Sequence, residues 1–236
     1  MRHVLKHLNE RTSEFGRLPL FAFLEDSSID PRSRLAFAPY AAHFVMSFAD
    51  LCSLIIREEP TSNKYQDLIN RHTREDDYHW RWFLADLETL DYDPKVVFSE
   101  ALTSVWSEST VRTRMLSYRM CSLAFDADPI RRLVLVHCIE AIFKPTIEHI
   151  GKVAAEFKAK TGKRLNYLGV EHSDAESSHT IESPEVRRMV EDIKLEPAVA
   201  SDLSSMVDEL FRLFSAFTDE MLDLAKAGRR IGDEAR

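Results

Sequence analysis

Glycine is scarce, at 6 of 236 residues, cysteine is confined to three isolated positions, and no long uninterrupted apolar run occurs. Each scarcity excludes something. There is no Gly-rich phosphate loop, no Gly-x-Ser-x-Gly elbow and no Ser/His/Asp constellation, which removes the commonest nucleotide-binding and serine-hydrolase designs. Cys52, Cys121 and Cys138 form no Cys-x-x-Cys pair, which excludes a cysteine zinc cage and fits buried thiols in a reducing compartment. The run Leu133-Val134-Leu135-Val136 is interrupted by His137, well short of the roughly eighteen apolar residues of a spanning helix. No membrane partner is expected. Met1 to Glu14 lacks the pattern of a signal peptide, so a cytoplasmic location is the expectation. Excess positive charge is also lacking: 31 Lys+Arg against 39 Asp+Glu give a formal charge of −8, unsuited to nucleic acid, which demands a cationic face.

What is present is a chain 44% hydrophobic and 30% charged, enough for one sizeable core and a single domain over residues 1–236. Apolar residues recur at steps of three and four, and prolines preceded by Asp or Ser mark helix starts. The pattern predicts an all-α protein, one compact helical bundle. Helices are expected over Arg2–Phe15, a short Leu20–Leu24, Asp30 to Glu59 with a bend near Pro39, and Asn63–Leu90. Further helices are expected over Asp93–Glu108, Thr110–Phe125, Ile130–Lys160 with a kink at Pro145, Leu165–Thr180, Ser183 to Pro197 and Ala198–Ala227. Gly228 to Arg236 should fray.

Histidines and carboxylates recur at ligand spacing. His172, Glu176 and His179 stand four and three residues apart, so in a helix their side chains converge within an arc of about 60°. His72, Asp76 and His79 repeat the arrangement; Glu75, four before His79, leaves open which acid faces inward. Trp80, Trp82 and Phe83 follow at once, the bulk of a dry wall beside a polar pocket. Glu140 lies in the apolar run from Leu133 to Phe143, where a carboxylate needs a partner or a cation; His137, three residues earlier, is one candidate partner. Mixed nitrogen and oxygen donors of this kind suit iron or manganese, with zinc the simpler competitor.

On these residues the chain resembles the haem-oxygenase-like superfamily, in the TenA-like, PqqC-like and CADD-like branch that includes di-iron oxidases. The late His-x-x-x-(Asp/Glu)-x-x-His element is matched by His172, Glu176 and His179, the lone acid by Glu140 and the middle imidazole by His79. The first ligand departs from the pattern: seven before His79 stands His72, not an acid, while Asp76 satisfies the three-residue version. The resemblance implies a helical bundle with a central pocket, and dioxygen activation by one or two non-haem iron ions on a small organic substrate. His79, Glu140 and His172 would be core ligands, Asp76 or His72 with Glu176 and His179 the remainder. Haem is not expected, because the helix after Glu140 has one glycine, Gly151, in place of a glycine-rich hinge. A TenA-like metal-free hydrolase is the alternative, with Cys138 as nucleophile and Asp50 as the acid on an earlier helix. A non-enzymatic helical binding protein is the third reading. A homodimer is left open.

Overall fold

Local chemistry sets the helix starts. Asp30 accepts the N–H of Arg32 at 3.0 Å, and Asn63 accepts those of Tyr65 and Gln66 at 2.9 and 3.2 Å. Asp128 accepts the N–H groups of Ile130 and Arg131 at 2.8 and 3.2 Å, and Ser183 accepts that of Val186 at 3.3 Å. Each cap satisfies backbone donors that the first turn leaves without helical partners. The structure is a computed structural model and describes residues 1–169, 172, 181, 183–228 and 231–232. It is an all-α helical bundle with no strand among the described residues.

The helices are α1 (Arg2–Phe15), α2 (Pro19–Glu25), α3 (Pro31–Arg34), α4 (Ala42–Asp50), α5 (Lys64–Asp76), α6 (Trp80–Thr89), α7 (Phe98–Val105), α8 (Val111–Ala124), α9 (Pro129–Thr161), α10 (Pro184–Glu191) and α11 (Pro197–Ala227). Two long helices form the spine. Along α11, Leu203, Met206, Leu210, Leu213, Phe214, Met221 and Leu224 are buried, as their spacing predicts. Along α9 the run Leu133 to Val136 is buried together with Cys138, Ile139 and Glu140. Helix α9 ends at Gly162, whose φ of 75° is the left-handed conformation glycine supplies without strain.

Several expected elements are corrected. The long helix from Asp30 to Glu59 is instead α3, a 3-10 turn over Ala38–Ala41, α4 and a π-helix over Leu51–Ile56. Pro39, which has no N–H to donate, lies in the 3-10 turn. Pro31–Ile56 as a whole is long and apolar enough to cross a membrane by composition, but it is bent in this way and 44% of its most apolar window is buried. The helix expected over Asn63–Leu90 is two, interrupted at 77–79 where Asp77 turns to meet the Arg57 guanidinium at 2.6 Å. Helix α7 starts at Phe98, not at Asp93. The helix expected over Ile130–Lys160 is found, as α9, with Pro145 inside it. Residues 165–169 are turn, not helix, because the buried Asp86 carboxylate accepts the Asn166 and Leu168 N–H groups at 2.7 and 2.8 Å. Of the tail expected to fray, Ile231 packs on the core and Gly232 donates its N–H to Ser104 at 2.9 Å.

Candidate metal centre

Helices α5 and α9 pack side by side and bring together His72, Asp76 and Glu140, all buried. One turn of α5 separates His72 from Asp76, so both face α9. His72 Nε2 lies 3.2 Å from Asp76 Oδ2 and 3.1 Å from Glu140 Oε1. One donor atom from each of the three lies within 4.8 Å of the others, the geometry of a group that could hold a metal ion. Glu75 is the outer acid, 3.8 Å from His72 Nδ1 with its side chain 32% exposed, against 4% for Asp76. Asp76 is therefore the inward acid. His137, one candidate partner for Glu140, does not take that place: His72 does, and His137 Nε2 is enclosed without a hydrogen-bond partner.

The charge of His72 follows from its neighbours. Burial alone would depress its pKa, but hydrogen bonds to Asp76 and Glu140 outweigh that and raise it to about 10. Without a metal it is an imidazolium lodged between two carboxylates. A divalent ion on the same three donors would replace that proton, and imidazole with carboxylate is a donor set that iron, manganese and zinc all accept. His137 behaves oppositely, pushed down to about 4 by burial, then by the positive charge of His72 and Arg187.

His79 and His172 stand on the other side of Asp76. The turn between α5 and α6 sets His79 Nδ1 3.9 Å from Asp76 Oδ1, and its ring stacks on Trp82 at 4.7 Å. The His172 ring meets His79 edge-on at 4.8 Å. His172 Nδ1 lies 2.8 Å from the Tyr167 carbonyl; a carbonyl only accepts, so Nδ1 donates a proton there and the bond fixes the orientation of the ring. Metal-binding histidines are commonly oriented by such a bond. Asp76, His79, Trp80 and His172 line a polar cavity of about 10 Å³, room for about one water or ion. Val45, Phe143, Tyr167 and His172 separate it from a larger apolar cavity of about 70 Å³ and line both. Phe83 lines the larger.

Of the expected ligands, His72, Asp76 and Glu140 form the buried group that could hold a metal ion, and Asp76, His79 and His172 line the smaller cavity beside it. Glu176 and His179 lie outside the described residues. Cys138 is fully buried, lines neither cavity, and burial pushes its thiol pKa far up, while Asp50 is exposed at the end of α4. Two contributors escape the sequence reading. Asp86, flanked by Leu84, Ala85 and Leu87, carries the same signal as Glu140, an acid among apolar neighbours; Tyr167, which acts through its carbonyl, carries no signal. No family model matches this chain, and no curated protein does, so the reading rests on the donors and cavities themselves.

Proposed function

We propose that the chain is a non-haem, iron-dependent oxygen-activating oxidase or oxygenase, with one or two ions, acting on a small apolar organic substrate. The observation that carries the reading is the buried group of His72, Asp76 and Glu140, whose Asp76 lines a small cavity that shares His172 with a larger aromatic one. Iron(II), when bound, supplies the electrons that dioxygen needs to react with a closed-shell molecule. The protein's own residues do the rest. Asp76, reached by His72 on one oxygen and His79 on the other, is placed to link two ligand groups. His72 must give up its proton for a metal to bind, so affinity should climb with pH. Phe44, Phe143, Phe214 and Phe217 form a cluster with ring centroids 5.4 to 6.5 Å apart; this wall would exclude water and orient an apolar substrate beside His172. Thr146 and Thr218, also in the larger cavity, direct their hydroxyls to the Ile142 and Ser215 carbonyls, which leaves little to recognise a polar substrate there.

Protein purified without chelator, analysed for metals and then reloaded anaerobically with iron(II), tests the proposal. Iron binding and oxygen consumption are expected, both lost in His72→Ala and Glu140→Ala. Tight binding of zinc alone, or no metal and no oxygen uptake, would overturn it in favour of a hydrolytic or non-enzymatic role. Cys138→Ser should leave oxygen uptake intact, and its failure alone would favour the thiol mechanism.

A further inference from the structure

The aromatic side chains on the two sides of the centre differ in chemistry. Among the described residues the chamber side carries seven phenylalanines and Tyr167, and a phenyl ring does not readily give up an electron. Outward from His79 stand Trp82 and Tyr78, an indole and a phenol, the most easily oxidised aromatic groups a protein has. His79 and Trp82 are three residues apart at the start of α6, which sets one ring over the other. Their centroids lie 4.7 Å apart with the planes 15° from parallel, and Trp82 also meets the His172 ring at 6.4 Å. Tyr78 stands edge-on to Trp82 at 5.3 Å and to His79 at 4.8 Å. Exposure rises along the series, from 5% at His79 through half-buried Trp82 to 43% at Tyr78. A wall that only kept water out would need neither an indole nor an exposed phenol.

We infer that Trp82 and Tyr78 form a one-electron relay that carries oxidising equivalents from the metal centre to the surface. The inference rests on the oxygen-activating reading above and adds to it a route by which the protein is spared when no substrate is present. Dioxygen at the iron is the oxidant, and each passage moves one electron inward. The Trp82 indole gives that electron across the stacked His79 ring. Trp82 recovers it from the Tyr78 phenol, which loses its proton to water as it does so. A hydrogen-atom donor in solution, such as ascorbate, then returns one electron and one proton to Tyr78. The relay competes with oxidation of the ligands, above all of the His79 imidazole, against which Trp82 is stacked; excluding such side reactions is a task that falls to the protein around a reactive centre.

Pulse radiolysis of the metal-free full chain tests the outer step, with azide radical as an oxidant selective for indole. In a Trp80→Phe, Trp106→Phe background, Trp82 is the one tryptophan left of three. Its radical absorption should decay as a phenoxyl absorption grows, at a rate independent of protein concentration, and that growth should be lost in Tyr78→Phe. No phenoxyl, or the same phenoxyl without Tyr78, would overturn the relay. If the background loses its helical circular dichroism, Trp106→Phe compared with and without Trp82→Phe decides, and phenoxyl growth unchanged by the loss of Trp82 would count against it. The inner step is read by electron paramagnetic resonance of iron(II)-loaded protein mixed with dioxygen, without added substrate, and frozen. A tyrosyl signal is expected, narrowed by ring-deuterated tyrosine and lost in Trp82→Phe, which keeps an aromatic ring on His79. Peptide mass spectrometry of that variant should find added oxygen on His79 instead. Iron bound with no tyrosyl signal, or a signal unchanged in Trp82→Phe, would overturn the relay and leave the oxygen-activating reading standing; no iron bound would overturn both.

Discussion

His72 and His137 give the metal-free protein opposing responses to pH. The pKa of His72 is about 10 in the fold against 6.5 as an ordinary imidazole. A raised value stabilises fully below the unfolded pKa and is lost as pH climbs, so this contribution drains away between 6.5 and about 10. His137, at about 4 in the fold, stabilises above 6.5 and is lost as pH falls toward 4. Unfolding midpoints of the metal-free protein should therefore peak near pH 6.5, and loading with metal should flatten the alkaline limb, since the metal supplants the His72 proton. A midpoint that rises steadily from pH 6.5 to 9 without metal would contradict the triad. Asp86 supports the centre through the backbone of residues 166–168. In Asp86→Asn one of its two acceptors becomes an amide NH2 facing a backbone N–H, which should loosen residues 166–168 and with them the Tyr167 carbonyl. We expect a loss of about 10- to 100-fold in metal affinity with circular dichroism unchanged, read by competition with a coloured chelator; wild-type affinity would remove Asp86 from the support of the site.

Among the elements, the ligand-bearing helices were the most legible, because Asn63 and Asp128 announce α5 and α9 and apolar spacing carries them onward. Asn63→Ala should cost about 1 kcal/mol in urea unfolding, since it strips the cap from the helix that holds His72 and Asp76; an unchanged midpoint would mean tertiary packing alone holds the start of α5. His79 was found for an incomplete reason. Helical spacing puts it on the face of one continuous helix, yet it reaches Asp76 from a turn that the Arg57–Asp77 ion pair helps to form, a contact twenty residues apart in sequence. The segment 165–169 read as helix because its local pattern permits one, while the clamp from Asp86, some eighty residues earlier, decides otherwise. Long-range polar contacts of this kind leave no periodic trace. The bend of Pro31–Ile56 was anticipated at Pro39, whereas its closing π-turn had no counterpart in the sequence signals used.

At the scale of the whole molecule, the bundle encloses an apolar chamber that shares Val45, Phe143, Tyr167 and His172 with the smaller cavity. Ala41 lines the chamber at its 3-10 edge, so Ala41→Leu should fill it. Binding of a small apolar probe such as indole, followed by calorimetry, is expected to fall at least about tenfold while stability changes by less than about 1.5 kcal/mol. Equal binding would place the probe elsewhere. The chamber itself could not be read from sequence, since its phenylalanines come from α1, α4, α6, α9, α11 and the turn at Phe37, and look like ordinary core on each element taken singly. The interruption between Asp76 and Trp80 has a kinetic consequence. One group of donors is gripped by two packed helices, α5 and α9, while His79 hangs on the turn at 77–79, so ions captured by the two groups should differ in residence time. Dilution into excess chelator would then release metal in a fast and a slow phase, making a mixed-metal protein accessible by brief exchange; a single phase would mean that both groups let go as one.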